Sequence, residues 1–423
     1  MNQGKGMAEE RVQRRLVEPG RARRPGGGCH KTVGERMPHR RPARLRHIAG
    51  IGVDRMGSMA DASGKDFLRL ENLDVDIPPD AAAIARTREA AGRDSDNSYL
   101  PFVGQRHLRE VAARHVAALS GVGYSGERNC VIAAGGLSGI LNVLLATIDV
   151  GDEVIVTDPT YAGLINRIHL AGGIPTYVPF QFNPSAEWRL DRAALRAAIG
   201  PRVRAMLLMS PSMPSGGCFD AADWALVREL CVAHDLLLIL DSAMERLVFD
   251  GRDVIHPAGL PGMAERTITV GSSAKELRMI GWRVGWIVAP ERYLPDLVAV
   301  SLANVVVPVG IAQDAVAIAL ENSRSTLAPY VAELCARRDT VIGELAGLPV
   351  GVPGGGWSLL LRVSDFGIDG ATLSERLLDH GVCATPMTGW GVAHGPQYIR
   401  FVFANEPVER LRSLGSRVRA ALG

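Results

Sequence analysis

From Asp66 onward, short apolar runs alternate with amphipathic helical patterns at the spacing of an α/β protein with a mostly parallel sheet. Seven strands are expected, over Val131–Ala134, Glu153–Thr157, Ile174–Val178, Ala205–Met209, Leu236–Leu240, Thr267–Val270 and Val284–Val288. The run Leu236-Leu-Leu-Ile-Leu240 has no polar face, so its sheet must be covered on both sides. Ala221–His234 supplies one covering helix. Leu297 to Leu320 is apolar but interrupted by Ser301, Asn304, Pro308, Gln313 and Asp314, and reads as buried helix rather than a membrane span. The pattern changes near residue 323, where a long helix runs to Leu345, followed by a Gly-rich turn at Gly354–Gly356 and mixed elements to the end.

This organisation predicts a large domain over 106–322 with a mostly parallel seven-stranded sheet and helices on both faces. A smaller α+β domain is expected from 323–423, joined by an arm over 66–105. Residues 1–65 read as a basic, disordered leader: the first fifty hold 13 Lys/Arg against four Asp/Glu. Met56 and Met59, just before the first globular pattern, suggest themselves as alternative starts. The net charge of +2 is therefore +9 on that leader and −7 on the remainder, which argues against a nucleic-acid partner. Six cysteines, never closer than thirteen positions, exclude a CxxC pair and suit a reducing cytoplasm. The ten histidines form no HxH or HExxH set, so no metal is expected.

Lysine usage carries the chemistry. Only four of 47 basic residues are lysine, at 5, 31, 65 and 275, and Lys275 alone lies in the folded body. Arginine can replace lysine as a surface charge but not as an amine nucleophile. Lys275 follows an expected strand and Asp241 ends another, so both point into the crevice beyond the carboxyl ends of a parallel sheet. A lone lysine and a carboxylate there suit pyridoxal phosphate chemistry, the lysine holding the aldehyde and the carboxylate pairing with the pyridine nitrogen.

Several motifs then appear in order. Ser272-x-x-Lys275 followed by Gly281-Trp282-Arg283 resembles the lysine signature of the fold-type I pyridoxal-phosphate enzymes, specifically the class I/II aminotransferases, and the resemblance runs from about Leu68 to the C-terminus. It implies that Lys275 forms the internal aldimine and that Ser272 and Arg283 bind the cofactor phosphate. The turn at Gly136, Leu137 and Ser138 resembles the phosphate-binding helix start. Asp241 matches the pyridine-nitrogen aspartate, and Tyr161 in Asp158-Pro-Thr-Tyr161 the aromatic that stacks on the ring. Tyr99 is similar to the tyrosine that reaches the neighbouring subunit's phosphate, which implies a homodimer with shared sites. Arg400 in Tyr398-Ile-Arg400-Phe resembles the arginine that clamps the substrate α-carboxylate. The substrate pocket is expected along Leu70–Ile77 and near Trp390, with no second arginine assigned to a dicarboxylic side chain.

Two cofactor-binding positions depart from the pattern. Met213, in Ser210-Pro-Ser-Met213-Pro-Ser-Gly216, stands where the family has an asparagine, and Met244 where it has a tyrosine. Both of those residues donate to the cofactor's phenolic oxygen, and Ser210 or Ser212 is left as a substitute donor. The resemblance implies a transaminase acting on an α-amino acid or an amino-acid conjugate. With these donors missing, three other outcomes on the same cofactor stay open: β-elimination, decarboxylation and oxidative deamination. A non-catalytic ligand-binding regulator is a more distant alternative.

Overall fold

The computed structural model describes residues 41–48 and 50–423. Its main feature is an eight-stranded sheet in the order Cys130–Ala133, Gly285–Val288, Thr267–Ser272, Leu237–Asp241, Val203–Met209, Glu153–Asp158, Ile174–Gln181, Arg189–Leu190. All seven expected strands are in it. The eighth, Arg189–Leu190, is a two-residue antiparallel edge too short for a periodic signal. The five strands from Thr267–Ser272 to Ile174–Gln181 run parallel. Gly285–Val288 runs against them, and Cys130–Ala133 runs against Gly285–Val288.

Alternate side chains serve the two faces, as a strand period of two requires. Val154, Val156, Ala205, Leu207, Leu237 and Ile239 pack in one cluster with Ile140, Val143 and Leu144 of the helix Gly136–Thr147. Their neighbours Ile155, Met206, Leu208, Leu238 and Leu240 join the opposite cluster with Trp224, Val227 and Leu230 of the helix Ala221–Ala233. That second cluster continues into a three-stranded antiparallel sheet of Ser358–Arg362, Tyr398–Val402 and Thr385–Pro386. Leu68–Arg69 pairs in parallel with Val382–Cys383.

Two expectations are corrected. The apolar stretch 297–320 is not one helix: Leu294–Asn304 ends before a break, and a 35-residue helix begins at Gly310, earlier than expected, and runs to Glu344. The break holds Val306, with φ at +67°, and Pro308, which lacks an amide donor and disfavours helical backbone in the residue before it. The leader expected to be disordered over 1–65 contains the helix Val53–Ser63, which buries Met56 and Ala60 against Phe67 and Cys383. Its apolar stripe is too narrow to stand out beside the charges. The rest of the expectation, over residues 1–40, lies outside the described residues.

Every parallel strand ends on one side of the sheet, and Gly285–Val288 begins there. At that seam the backbones come very close. A Cβ on Gly285 would lie 2.7 Å from the Gly135 carbonyl carbon and the Gly136 nitrogen, and 2.8 Å from the Gly271 oxygen. All of these are backbone atoms that cannot rotate away. Gly285→Ala is therefore expected to lower the unfolding free energy by about 1–3 kcal/mol in urea denaturation, and an unchanged midpoint would contradict the packing described.

Candidate active site

Asp241 is the last residue of Leu237–Asp241, and Lys275 lies just past the end of the adjacent strand Thr267–Ser272. Both line a cavity of about 230 Å³ together with Leu73, Gly136, Leu137, Tyr161, Met213, Met244, Ser272 and Arg283. Sheet topology explains most of the convergence, because all of these residues but Leu73, which follows the separate strand Leu68–Arg69, lie at or just beyond the same end of the sheet. Ser138 is half-buried in the first turn of Gly136–Thr147 and does not line the cavity. Tyr99 is 83% exposed and also stands outside it.

Among the described residues, the Lys275 amine has no carboxylate within hydrogen-bond reach. Its Nζ donates to the Leu73 carbonyl at 3.3 Å and lies 3.8 Å from the centre of the Trp357 ring. Burial pushes its pKa down to about 7, with Arg400 adding to the effect and Asp74 and Asp241 opposing it. Burial raises the Asp241 carboxyl to about 7, opposed by the Ala243 amide, which donates to Oδ1 at 3.1 Å, and by Lys275. Here desolvation outweighs the attraction between two opposite charges.

Arg400 lies mid-strand, facing Leu360 on one side and Thr385 on the other, and is fully buried. Its Nη2 donates to the Glu71 carbonyl at 3.0 Å and the Thr385 hydroxyl at 3.2 Å. Nε and Nη1 are buried with no acceptor. Leaving such donors unpaired costs about 1–3 kcal/mol each, more when charged, and a carboxylate would satisfy both. The guanidinium stacks 4.5 Å from the Trp390 ring, which lies 5.2 Å from Tyr161. Trp390 is fixed in turn, since its carbonyl accepts from Thr160 at 2.9 Å and its indole N–H donates to Ile51 at 3.1 Å.

Arg400 does not line the cavity itself, whose Gly136, Leu137, Ser272 and Arg283 suit an anion. The helix Gly136–Thr147 begins with no side-chain cap, leaving first-turn amides free, as its dipole favours for a phosphate. Gly135 has φ at +93°, and a Cβ there would meet the Arg283 Nη2 at 2.7 Å. Absence of that side chain keeps the guanidinium over the helix start. An anion site at the helix start, with a half-buried lysine and a buried aspartate in the same cavity, fits pyridoxal phosphate. Gly136, Leu137, Ser272 and Arg283 would hold the phosphate.

Met213 and Met244 are both buried in the cavity wall. Neither proposed substitute takes their place: the Ser210 hydroxyl accepts from the Phe219 amide at 3.0 Å and faces a different cavity, and Ser212 is buried off this one. Sequence reasoning missed Trp357, Thr385 and Arg167, whose Nε donates to the Leu137 carbonyl at 2.8 Å. Trp357 directly follows the glycine turn that was recognised, but nothing local gave its ring a direction.

Residues 68–418 match the family Aminotransferase class I and II. The arginine–pyruvate transaminase AruH of Pseudomonas aeruginosa is 35% identical over 339 residues, which cover 79% of this chain and 84% of that protein. A probable N-succinyldiaminopimelate aminotransferase, DapC, of Mycobacterium tuberculosis is 32% identical over 355 residues, 82% of this chain and 88% of its own length. Among solved structures, aspartate aminotransferase from Thermus thermophilus with maleate superposes with a TM-score of 0.82 at 26% identity, covering 91% of this chain and 100% of its own. These relatives are transaminases, so elimination, decarboxylation and oxidative deamination are not favoured. By residues matched, by fold and by the chemistry its buried groups can support, the chain belongs to the aminotransferase class I and II family and is a pyridoxal-5′-phosphate-dependent aminotransferase.

Proposed function

We propose that this cavity is the catalytic site and that it transaminates an α-amino acid with an uncharged side chain. The meeting of Lys275 and Asp241 in one cavity carries this reading, supported by the unsatisfied donors of Arg400, which lies outside that lining and is linked to its Tyr161 through Trp390. When bound, pyridoxal phosphate supplies an aldehyde and an electron-withdrawing ring that stabilises negative charge at the substrate α-carbon. Arg400 holds the α-carboxylate through Nε and Nη1, and Asp241 supplies the negative charge opposite a protonated ring nitrogen. Lys275 anchors the cofactor and moves the proton at the α-carbon, a task its depressed pKa suits. Tyr161 packs on the ring, while the Gly136 and Leu137 amides, Ser272 and Arg283 receive the phosphate. Away from these groups the wall is Leu73, Met209, Met213, Met244 and Ile280, with no cation for a dicarboxylic side chain.

A homodimer with shared sites is part of the proposal. Tyr99 and Phe102 are exposed, as are Val306 and Val309, and the two segments are neighbours: a Cβ on Gly310 would lie 2.3 Å from the Asp96 oxygen and 2.8 Å from Leu100. An exposed apolar patch of this kind suits a second copy, to which Tyr99 would contribute. We place the enzyme in the cytoplasm, supported by the five described cysteines, all unpaired. Among the described residues no helix is long and apolar enough to cross a membrane.

Incubated with pyridoxal phosphate, a 2-oxo acid and a panel of amino acids, the enzyme should release the donor's keto acid without ammonia. Apolar and aromatic donors should exceed aspartate and glutamate by about tenfold or more in kcat/KM. Lys275→Ala should lose both the visible band and turnover, and ammonia release by the wild type would move the reaction to another class.

The depressed Lys275 pKa gives a second expectation. An amine must lose its proton to attack an aldehyde, so the rate at which apo protein captures pyridoxal phosphate should rise with pH and level off just above about 7. An ordinary lysine would keep accelerating toward about 10.4. A rate still climbing steeply beyond about pH 9 would contradict the burial argument.

The two methionines set a third. With no donor from 213 or 244, the cofactor's phenolate is less stabilised and the neighbouring nitrogen keeps its proton to higher pH. The holoenzyme's visible band should therefore change above neutrality, and Met213→Asn should lower its midpoint by about one unit or more. Coincident titrations of wild type and variant would remove the methionines from any tuning role.

A further inference from the structure

Asp241 ends its strand and Lys275 lies just past the end of the next, and the loops that follow the two strands separate. The last backbone tie is the Ser242 amide to the Val270 carbonyl at 3.0 Å, five residues before Lys275. Beyond it, the Glu276 carboxylate rejoins them. Its Oε1 accepts from the Arg246 backbone amide at 2.8 Å, and its Oε2 accepts from the Arg246 Nε at 2.7 Å. One carboxylate thus grips both the main chain and the side chain of a single residue on the Asp241 loop. Arg246 extends the grip to the helix Gly310–Glu344, where its Nη1 donates to the Ser323 hydroxyl at 3.1 Å.

Stability alone does not account for this pair. The Glu276 and Arg246 side chains are only 7% and 11% exposed, and a second buried carboxylate, Glu245, lies alongside. Desolvating two charges costs about as much as their attraction returns, and an apolar pair of similar volume often does as well. What an apolar pair cannot supply is direction. The 275 turn is tied at its base, where the Met279 amide donates to the Ser273 carbonyl at 3.0 Å, the Ala274 amide to the Ser272 hydroxyl at 3.2 Å and the Arg278 amide to the Lys275 carbonyl at 3.2 Å, but its lysine tip meets only a carbonyl and an indole face.

We infer that Glu276 is a positioning residue for the reaction: clamped on Arg246, it sets where the Lys275 amine stands relative to Asp241. This rests on the assignment of Lys275 as the cofactor-anchoring amine. A misplacement of the order of 1 Å is enough to slow a step at that amine by tenfold or more.

The test measures capture of pyridoxal phosphate by apo protein, followed by stopped-flow absorbance, which reads the amine's placement without turnover. Glu276→Ala should slow capture about tenfold. Glu276→Gln keeps an acceptor for the Arg246 amide and should stay within about threefold of wild type. In turnover, the alanine variant should lose kcat with the donor KM within about twofold, because Arg400 is untouched. A folded Glu276→Ala, with native circular dichroism and a cooperative melt, that captures at the wild-type rate overturns the proposal. Should that variant not fold, Arg246→Lys decides. It keeps the backbone bond and the charge but loses the guanidinium fork, so a drop of about threefold or more supports the inference and an unchanged rate overturns it. Wild-type protein that forms no covalent adduct would instead sink the assignment of Lys275.

Discussion

The structure depends on keeping three ionisable groups out of water without letting them neutralise one another. A half-buried amine, a buried carboxylate and a buried guanidinium are each met by neutral partners only, with two guanidinium nitrogens left without an acceptor. Lys275 meets the Leu73 carbonyl and the Trp357 ring, Asp241 the Ala243 amide, and Arg400 the Glu71 carbonyl, the Thr385 hydroxyl and the Trp390 ring. Had Lys275 and Asp241 formed a direct ion pair, the amine would be locked as a cation and the carboxylate would be unavailable to a ring nitrogen. Neutral partners leave the charges poised, at a cost in desolvation that the pKa shifts of both groups register.

Such an arrangement requires rigid surroundings and carbonyls brought in from elsewhere. Rigidity comes from the sheet, whose alternating faces are both covered, so the loops at its end cannot retreat. The carbonyls come from the segment following Leu68–Arg69. Glu71 and Leu73 accept from Arg400 and Lys275, and Pro78 accepts from Arg278 at 2.9 Å. Asp76 pairs the same segment with Arg337 of the long helix at 2.7 Å. A stretch with no regular structure of its own is thus held by side chains and in exchange solvates the two cations that the chemistry needs.

How much of this was legible follows from where each signal resides. Apolar periodicity marked the seven main strands because a doubly covered sheet demands continuous apolar runs. Lys275 and Asp241 could be read because their positions at strand ends and their residue types both narrow the possibilities. Arg400 was found by its flanking pattern, although an arginine in a strand ordinarily reads as an exposed edge charge. Burial of its guanidinium depends on Trp390 and Thr385, which are ten and fifteen positions away in the chain. Trp357, Arg167 and Glu276 left no trace, because their roles arise from tertiary direction and not from spacing. The helix Val53–Ser63 was hidden for a different reason: a short segment burying two side chains, Met56 and Ala60, has too weak an apolar stripe to contrast with its charged surroundings.

Met213 and Met244 show how a departure from a pattern can still be constrained. Both are buried, and both occupy wall positions of a cavity whose remaining lining at that level is Met209 and Ala243. A polar donor there would have to be fully satisfied by a ligand in the resting site. A thioether carries no such requirement and adapts its shape to what it meets. Two thioethers here therefore leave no unpaired donor in this part of the wall.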